Sequence, residues 1–168
     1  MAARDIRKNL NLFVDGRGYA GQVLEFTPPV LALQVEDFRA GGMDASIEIE
    51  LGMEKLESSF VLSAYDRNVL GLWGVARGSE VQFTLREAIE SYDGTVKAVV
   101  HNLRGRLRKL DPGTSKPGEM ANLTCEVALS FYKQTHDGRV VHEIDVINMV
   151  RVIDGVDRLA AQRAALGL

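Results

Sequence analysis

Alternation of apolar and polar residues dominates the chain and predicts a protein built mainly from β-strands. Val81, Phe83 and Leu85, for example, point to one face of a predicted strand, while the polar residues between them point to the other. Pairs of Gly, Pro and Asp separate such runs and predict turns between them. The predicted strands are residues 10–14, 19–26, 30–38, 58–65, 80–91, 95–109, 121–135 and 139–149.

Two short helices are expected among these strands. Asp66 is a suitable N-cap for a helix that runs through Ala76, and the spacing predicts that Trp73 packs from it against the sheet. A terminal helix of about ten residues is expected to begin near Val156, after a turn at Asp154 and Gly155. Its predicted apolar anchors are Leu159 and Leu166.

The strand count and the turn signals predict one antiparallel β-sandwich or barrel over residues 1–168. One short internal helix and a C-terminal helix within residues 155–168 complete the expected fold, and residues 1–9 form an N-terminal arm. The turn at residues 92–95 (YDGT) predicts a hairpin between residues 80–91 and 95–109. A second pairing is expected between residues 19–38 and 58–65.

A long excursion at residues 39–57 interrupts the regular spacing of strands. It contains a Gly-Gly pair and then a short alternating piece, in which apolar residues oppose Glu48 and Glu50. Ordinary connections average about 4–6 residues, so this length favours an arm laid across a neighbouring subunit over a spare loop. The residues expected to make this contact are Arg39, Gly41, Gly42, Met43, Asp44, Ile47, Ile49 and Leu51.

Composition fits one soluble globular domain. The 168 residues include 20 basic and 23 acidic side chains, a formal charge of −3, which disfavours a protein that grips nucleic acid through its phosphates. Cys125 is the only cysteine and lies in an alternating pattern, so a buried thiol is expected. No apolar stretch approaches the roughly 20 residues of a membrane span, and no secretion signal is recognisable at the N-terminus. We therefore expect folding in the cytoplasm.

Motifs that would carry chemistry are weak. Residues 16–21 match the G-x-G-x-x-G spacing, but they precede a strand-like run rather than a helix, so a glycine turn is favoured over nucleotide binding. His101, His136 and His142 lack the spacing of metal ligands and are expected to be exposed strand or turn residues. No pair of carboxylates stands out for acid–base work. We expect no catalytic site, cofactor or metal.

Alternate arginines form the sharpest charge feature. Arg104, Arg106 and Arg108 should project to one side of a strand, and Lys109 follows them. They could form a cationic stripe for phosphate, yet no aromatic residues interleave as a base-stacking surface requires. An exposed sheet end that pairs with carboxylates of a neighbouring subunit is the favoured interpretation.

Five sequence motifs, in order, resemble those of one known family. They are residues 11–16 (NLFVDG), 38–44 (FRAGGMD), 103–106 (LRGR) with 111–119 (DPGTSKPGE), 143–148 (EIDVIN) and 155–168 (GVDRLAAQRAALGL). The chain resembles the major tail tube proteins of P2-like contractile phage tails, a family that includes the tube subunits of R-type pyocins. One departure is Lys109, which stands where relatives usually have an acidic residue.

The resemblance implies hexameric rings that stack into a tube around a continuous inner β-barrel. It also implies an outer sheath protein, a baseplate, a tail terminator and a lumen that conducts DNA or, in a pyocin, ions. On this interpretation the subunit is no enzyme and belongs to a virion tail or pyocin particle assembled in the bacterial cytoplasm. Residues 39–57 and the N-terminal arm would reach an adjacent ring, and Glu36 and Glu90 are candidates for the lumen surface. Alternatives are a type VI-like secreted ring protein and a monomeric sandwich-type binding module.

Overall fold

The computed structural model describes residues 4–75 and 78–168. Twelve strands and two short helices lie within this part of the chain. The strands are β1 (Ile6–Val14), β2 (Arg17–Gly18), β3 (Val23–Thr27), β4 (Leu33–Phe38), β5 (Ile47–Met53), β6 (Glu57–Leu62), β7 (Val81–Glu90), β8 (Val96–Asp111), β9 (Leu123–His136), β10 (Arg139–Asp145), β11 (Val150–Ile153) and β12 (Val156–Asp157). The helices are α1 (Arg67–Leu70) and α2 (Ala160–Leu166).

Ten of the strands form one open antiparallel sheet, and β4 and β5 form a separate hairpin. The main path runs β12-β11-β10-β9-β8-β7-β1-β2, and β6 and β3 branch from it at β9. This confirms the predicted mainly β, antiparallel class. No closed barrel forms among the described strands, because β1 and β11 lie near opposite borders of the path.

The branch arises because β9 is long enough to serve two neighbours. On the side away from β8, residues 123–128 pair with β6, and residues 131–136 pair with β10. The β6 end of the sheet therefore folds back over β7, and the rings of Phe60 and Phe83 meet across the core at 5.8 Å between centroids. We refer to β10, β11 and β12 as the wing.

The hydrophobic core lies where the β6 end of the sheet folds back over β7. Leu12, Leu62, Leu85, Leu123 and Cys125 are each fully inaccessible to solvent. They come from β1, β6, β7 and β9, whose alternate residues face inward. Burial raises the pKa of the Cys125 thiol to about 12, so the thiolate form is strongly disfavoured. The predicted buried thiol is confirmed.

The internal helix is shorter than the sequence indicates. Asp66 caps it as predicted, accepting hydrogen bonds from the backbone N–H groups of Asn68 and Val69, but the helix ends at Leu70. The prediction for Trp73 was wrong, because its side chain is 56% exposed and its indole donates to the Arg108 carbonyl. Val69 is the buried anchor instead. The predicted end, Ala76, lies outside the described residues.

The C-terminal helix starts later than predicted, at Ala160 rather than near Val156. Asp154 and Gly155 have φ of 49° and 83° and turn the chain back, so Val156 and Asp157 pair with β11 as β12. Leu166 is 65% exposed and no residue of α2 is buried. The expected apolar anchoring is therefore wrong for Leu166.

Strand pairing matches the expectations in part. The hairpin β7–β8 forms around residues 91–95, and β3 pairs with β6, both as predicted. However, β4 pairs with β5 and not with β6, so only the first half of the predicted pairing of residues 19–38 is present. At the N-terminus, β1 begins at Ile6, which places residues 6–9 of the expected arm in the main sheet.

At Gly105 the backbone of β9 leaves no room for a side chain on β8. A Cβ at this position would meet the Ala128 carbonyl oxygen at 2.2 Å and the Leu129 Cα at 2.9 Å, and both are backbone atoms that cannot rotate away. We expect Gly105→Ala to lower the free energy of unfolding by about 2–3 kcal/mol through overpacking. Urea unfolding followed by circular dichroism measures this.

Gly41→Ala is the matched control, because an added Cβ there meets nothing within 4 Å. Its free energy of unfolding should stay within about 0.5 kcal/mol of the parent. Equal stability of the two variants would contradict the proposed close approach at Gly105.

Candidate assembly surfaces

The hairpin formed by β4 and β5 is the most exposed regular element of the molecule. Its register pairs Leu33 with Met53, Glu36 with Ile49 and Phe38 with Ile47. Every residue of β4 is exposed, and so are the first five residues of β5. An isolated two-stranded hairpin is marginally stable in water, so this element gains by packing against another surface.

A register shift between Gln34 and Val35 decides which side chains share a face of the hairpin. Val35 pairs with Glu50, whereas Glu36 pairs with Ile49. Leu51 of β5 is the extra residue of this bulge, so the alternation along β4 is unbroken and Leu33 and Val35 share one face, with Glu36 on the other.

The two faces of the hairpin differ in polarity. We define the apolar face as Gln34, Glu36, Phe38, Ile47, Ile49 and Leu51. We define the acidic face as Leu33, Val35, Asp37, Glu48, Glu50 and Met53. The four large apolar side chains of the apolar face are between 42% and 57% exposed. A contiguous exposed apolar surface of this kind marks an interaction site.

The tip of the hairpin, residues 39–46, is closed by its own contacts. Arg39 donates from Nε to the Met43 carbonyl at 3.2 Å, and the Met43 backbone N–H donates to the Ala40 carbonyl at 3.2 Å. Gly42 has φ of 87°, a conformation that favours glycine. Of the predicted contact residues, the structure brings Arg39 to Asp44 together at the tip and places Ile47, Ile49 and Leu51 on the apolar face.

One ion pair links the acidic face to the wing. The Arg151 guanidinium lies 2.6 Å from the Glu50 carboxylate, and its side chain is only 13% exposed. Because alternate residues of a strand point in opposite directions, the apolar face lies on the side of the hairpin away from Glu50. Sequence reasoning missed Arg151, which nothing in the pattern of a short strand distinguishes.

A cleft of about 1140 Å³ opens between the base of the hairpin and the wing. Its floor is apolar and its rim carries both charges, from Arg151 and Glu50 among others. Apolar residues from the hairpin side and the wing side line it, namely Leu31, Leu33, Met53, Ile144, Val150, Ile153 and Leu159.

The main sheet also ends in an unfilled border at β1. Along the described chain, β2 pairs only with Phe13 and Val14, and the Leu12 carbonyl accepts from the Tyr19 N–H, so residues 6–11 of β1 have a strand partner on the β7 side alone. Unpaired edge groups are a template for another strand. Glu90 lies near this border, opposite Ile6 on one side and Val96 on the other. Glu36 and Glu90 therefore belong to different sheets.

The arginine stripe finds its carboxylates within the same chain. Arg104 Nε lies 2.9 Å from Glu80 in an ion pair that is poorly angled for a hydrogen bond, and its guanidinium also covers the Phe131 ring at 5.2 Å. Arg108 donates to Glu126 at 2.9 Å and also contacts Glu57. These two residues therefore have carboxylate partners within their own chain, and pairing with a neighbouring subunit stays a prediction. Arg106 is exposed.

Lys109, which departs from the family pattern, has acidic neighbours of its own. Its ammonium lies 3.4 Å from Glu126 and 4.0 Å from Asp111. The basic side chain is thus compensated locally by the adjacent strand β9.

A buried polar network crosses the inner face of the sheet. The two ring nitrogens of His101 lie 2.9 Å from the Tyr132 hydroxyl and 3.1 Å from the Glu87 carboxylate, and all three residues are buried. The expectation that His101 is exposed was wrong. Its position in the alternating series Val99, His101, Leu103 carried the signal, since every second residue of this run faces the core.

The remaining motifs have structural roles. His136 and His142 are partly buried, and His142 Nδ1 lies 3.1 Å from the Gln134 amide oxygen. Residues 16–21 form β2 and its flanking turns, which agrees with the predicted glycine turn. In the part of the chain that the structure describes, neither helix has the length and hydrophobicity needed to cross a bilayer.

The open sheet and its unfilled borders agree with the class of protein that the sequence shows. A family model described as phage tail tube protein FII matches residues 4–167. The chain belongs to this family of structural tail tube subunits, which confirms the resemblance drawn from the motifs.

Two relatives are similar over nearly their full length. The tail tube protein of Escherichia phage P2 is 31% identical over 167 residues, which cover 96% of each chain. The major tail tube protein of Serratia phage KSP20 is 31% identical over 172 residues, which cover 97% of this chain and 98% of the relative.

The Arg151–Glu50 pair should restrain the hairpin on the body of the subunit. We expect Arg151→Ala to speed backbone hydrogen exchange in β4 and β5 several-fold, because an ion pair contributes up to about 1 kcal/mol and tenfold corresponds to about 1.4 kcal/mol. Exchange in β7 and β8 should not change. Hydrogen–deuterium exchange read by mass spectrometry tests this.

Arg139→Ala is the control, since it removes an ion pair with Asp154 at 2.6 Å that does not involve the hairpin. The same acceleration in both variants would show that the hairpin responds to general loosening of the wing rather than to loss of its own restraint.

Proposed function

We propose that this chain is the subunit of the inner tube of a contractile phage tail or pyocin-like particle, and that it forms hexameric rings which stack into a hollow conduit. Membership of the tail tube family supports this proposal at the level of the class. The observation that carries the assembly step is the separate hairpin, whose apolar face is left about half exposed by the described part of its own chain.

Within a ring, the unfilled border of β1 gives each subunit a place to join the next. Residues 6–11 present backbone N–H and C=O groups that lack a strand partner on one side among the described residues. Pairing with a sheet border of a neighbouring copy would satisfy these groups and extend the sheet around a ring. Such heterologous contacts close when the rotation per subunit divides the circle.

Between rings, the hairpin supplies the contact. Its tip and apolar face, which include most of residues 39–57, lie on an adjacent ring in this proposal. Burial of half-exposed Phe38, Ile49 and Leu51 against a neighbour would remove apolar area from water at about 25 cal/mol per Å². The acidic face stays with its own subunit because Glu50 is already paired with Arg151.

The lumen surface is proposed to be polar or acidic, so that DNA passes without adsorbing. Glu90 is the stronger of the two candidates, because it lies in the main sheet near the border that would continue around the ring. Glu36 comes second. It sits among the side chains of the apolar face, where a carboxylate would need to reach the margin of the contact.

The same proposal assigns the partners and the location. A sheath protein would surround the tube, a baseplate would start it and a tail terminator would end it. The working place would be the virion tail, after assembly in the cytoplasm of the host. The described surface is compatible with a role without catalysis, since the buried polar network lies inside the sheet.

Charge placed on the apolar face should stop stacking. We expect Ile49→Asp to raise the concentration needed for tube formation at least about tenfold, because loss of an interface anchor costs about 2 kcal/mol or more. Sedimentation and negative-stain electron microscopy measure the assembled fraction. Circular dichroism should show an unchanged fold, since Ile49 is 42% exposed in the subunit.

Val35→Asp is the matched control on the opposite face of the same hairpin. Val35 is 45% exposed, close to the value for Ile49, and pairs with Glu50. Tubes of this variant should form as in the parent protein. Normal tubes with Ile49→Asp would refute the hairpin contact, and isolated rings from the parent protein would favour a type VI-like ring instead of a tube.

A further inference from the structure

The buried Glu87–His101–Tyr132 network reaches the surface at one point, Arg7 of β1. The Arg7 guanidinium lies 3.4 Å from one oxygen of the Glu87 carboxylate, and His101 lies 3.1 Å from the other. Arg7 is 70% exposed at its side chain, whereas Glu87 and His101 are 5% and 4% exposed. A charged surface residue is thus held by a buried carboxylate whose second oxygen contacts a titratable group.

A bulge makes this contact. The register of β1 against β7 shifts between Arg7 and Asn9, so that Lys8 is the extra residue. Leu10 pairs with Glu87 and Arg7 pairs with Ile89, and both therefore share the face of the sheet on which Glu87 lies. Strict alternation would have turned Arg7 to the opposite face. The bulge is the feature that attaches the start of β1 to the network.

With a neutral imidazole, every hydrogen bond of the network is satisfied. The Nε2–H group of His101 donates to the Glu87 carboxylate, and the Tyr132 hydroxyl donates to Nδ1. The hydrogen bond from His101 lowers the pKa of Glu87, and burial raises the pKa of Tyr132 to about 12. Glu87 is then ionised and Tyr132 neutral, so the negative charge of Glu87 is available to hold Arg7.

Protonation of His101 changes both sides of this arrangement. A positive imidazolium neutralises the charge of the Glu87 carboxylate. It also repels the Arg7 guanidinium, which is exposed and can move away into solvent. Nδ1 of His101 then carries a proton and becomes a donor. The Tyr132 hydroxyl must accept this hydrogen bond, and its own proton loses Nδ1 as an acceptor. Histidine is the side chain that ordinarily changes charge between about pH 5 and 8.

Other charged groups near the network come from three strands. On β1 the group is Arg7, and on β8 it is Lys97, which pairs with Asp5 at 3.3 Å. On β10 it is His142, which contacts Gln134, the residue that pairs with His101 in the register of β8 and β9. His142 is the neighbour whose own titration has to be separated from that of His101.

We infer that Glu87, His101 and Tyr132 form a proton-sensitive anchor for the start of β1, which holds Arg7 when His101 is neutral and releases it when His101 is protonated. The segment released is part of the unfilled border of the main sheet. Acidification would therefore loosen the strand through which, resting on the proposed function, subunits join within a ring. The anchor itself is a property of the single subunit.

The test begins with the full chain in dilute solution between pH 8 and pH 5. Titration of the histidine C–H signals by NMR gives the protonation of His101, assigned by its loss in His101→Gln. Backbone hydrogen exchange of residues 6–10, corrected for the intrinsic effect of pH, should become at least about tenfold faster as His101 takes up its proton. Residues 81–86 of β7 should change little.

Three variants make the assignment specific. His101→Gln should abolish the pH step in exchange, and Glu87→Gln should leave residues 6–10 in fast exchange at every pH. His142→Gln is the matched control and should keep the step. An unchanged step in His101→Gln, a lost step in His142→Gln, or a protonation of His101 without any change in β1 would each overturn the anchor. If the His101 and Glu87 variants fail to fold, the titration of the parent protein and of His142→Gln still tests the anchor.

Measuring tube assembly distinguishes failure of this inference from failure of the proposed function on which it rests. Sedimentable tubes of the parent protein should decrease at pH 5.5 relative to pH 8, and those of His101→Gln should not. Tubes that form equally at both pH values would overturn the link between anchor and assembly. A pH step in the dilute subunit together with no tubes at any pH would support the anchor and refute the proposed function instead.

Discussion

The pairing of β9 with two different strands on one of its sides is the constraint on which the fold depends. At each position, the backbone groups on one edge of a strand can bond to only one neighbouring strand. On this edge of β9, pairing with β10 can therefore begin only where pairing with β6 has ended. The core closes on one side of that point and the wing extends on the other. Gly105 marks the tight approach of β8 to β9 near this division.

The division separates the molecule into a stable body and surfaces that lack a partner. Buried leucines and aromatic rings lie where β6 covers β7, and they suffice for a core without a disulfide. The hairpin β4–β5 and the border of β1 lie outside that cover. The hairpin and the border of β1 are therefore the surfaces whose hydrophobic and hydrogen-bonding groups are left for contacts with other molecules.

Sequence patterns predicted the elements that depend on local alternation, and they failed where a long-range partner decides. The β7–β8 hairpin, the alternating faces of β4 and the buried Cys125 followed directly from period-two alternation and turn residues. Helical spacing placed Trp73 against the sheet, yet α1 ends at Leu70 and Val69 is the buried residue. Arg108 pairs with Glu126 of β9 and Glu57 of β6, strands that no local pattern connects to β8.

The attachment of the hairpin has a mechanical consequence. Two short connections, residues 28–32 and 54–56, and the contact between Glu50 and Arg151 join it to the rest of the subunit. Curvature of a stacked tube compresses one wall and stretches the opposite wall. A joint of this kind lets each hairpin tilt while the body of the subunit keeps its shape. In the proposed tube, a tail built from such subunits would bend at these joints while each ring keeps its shape.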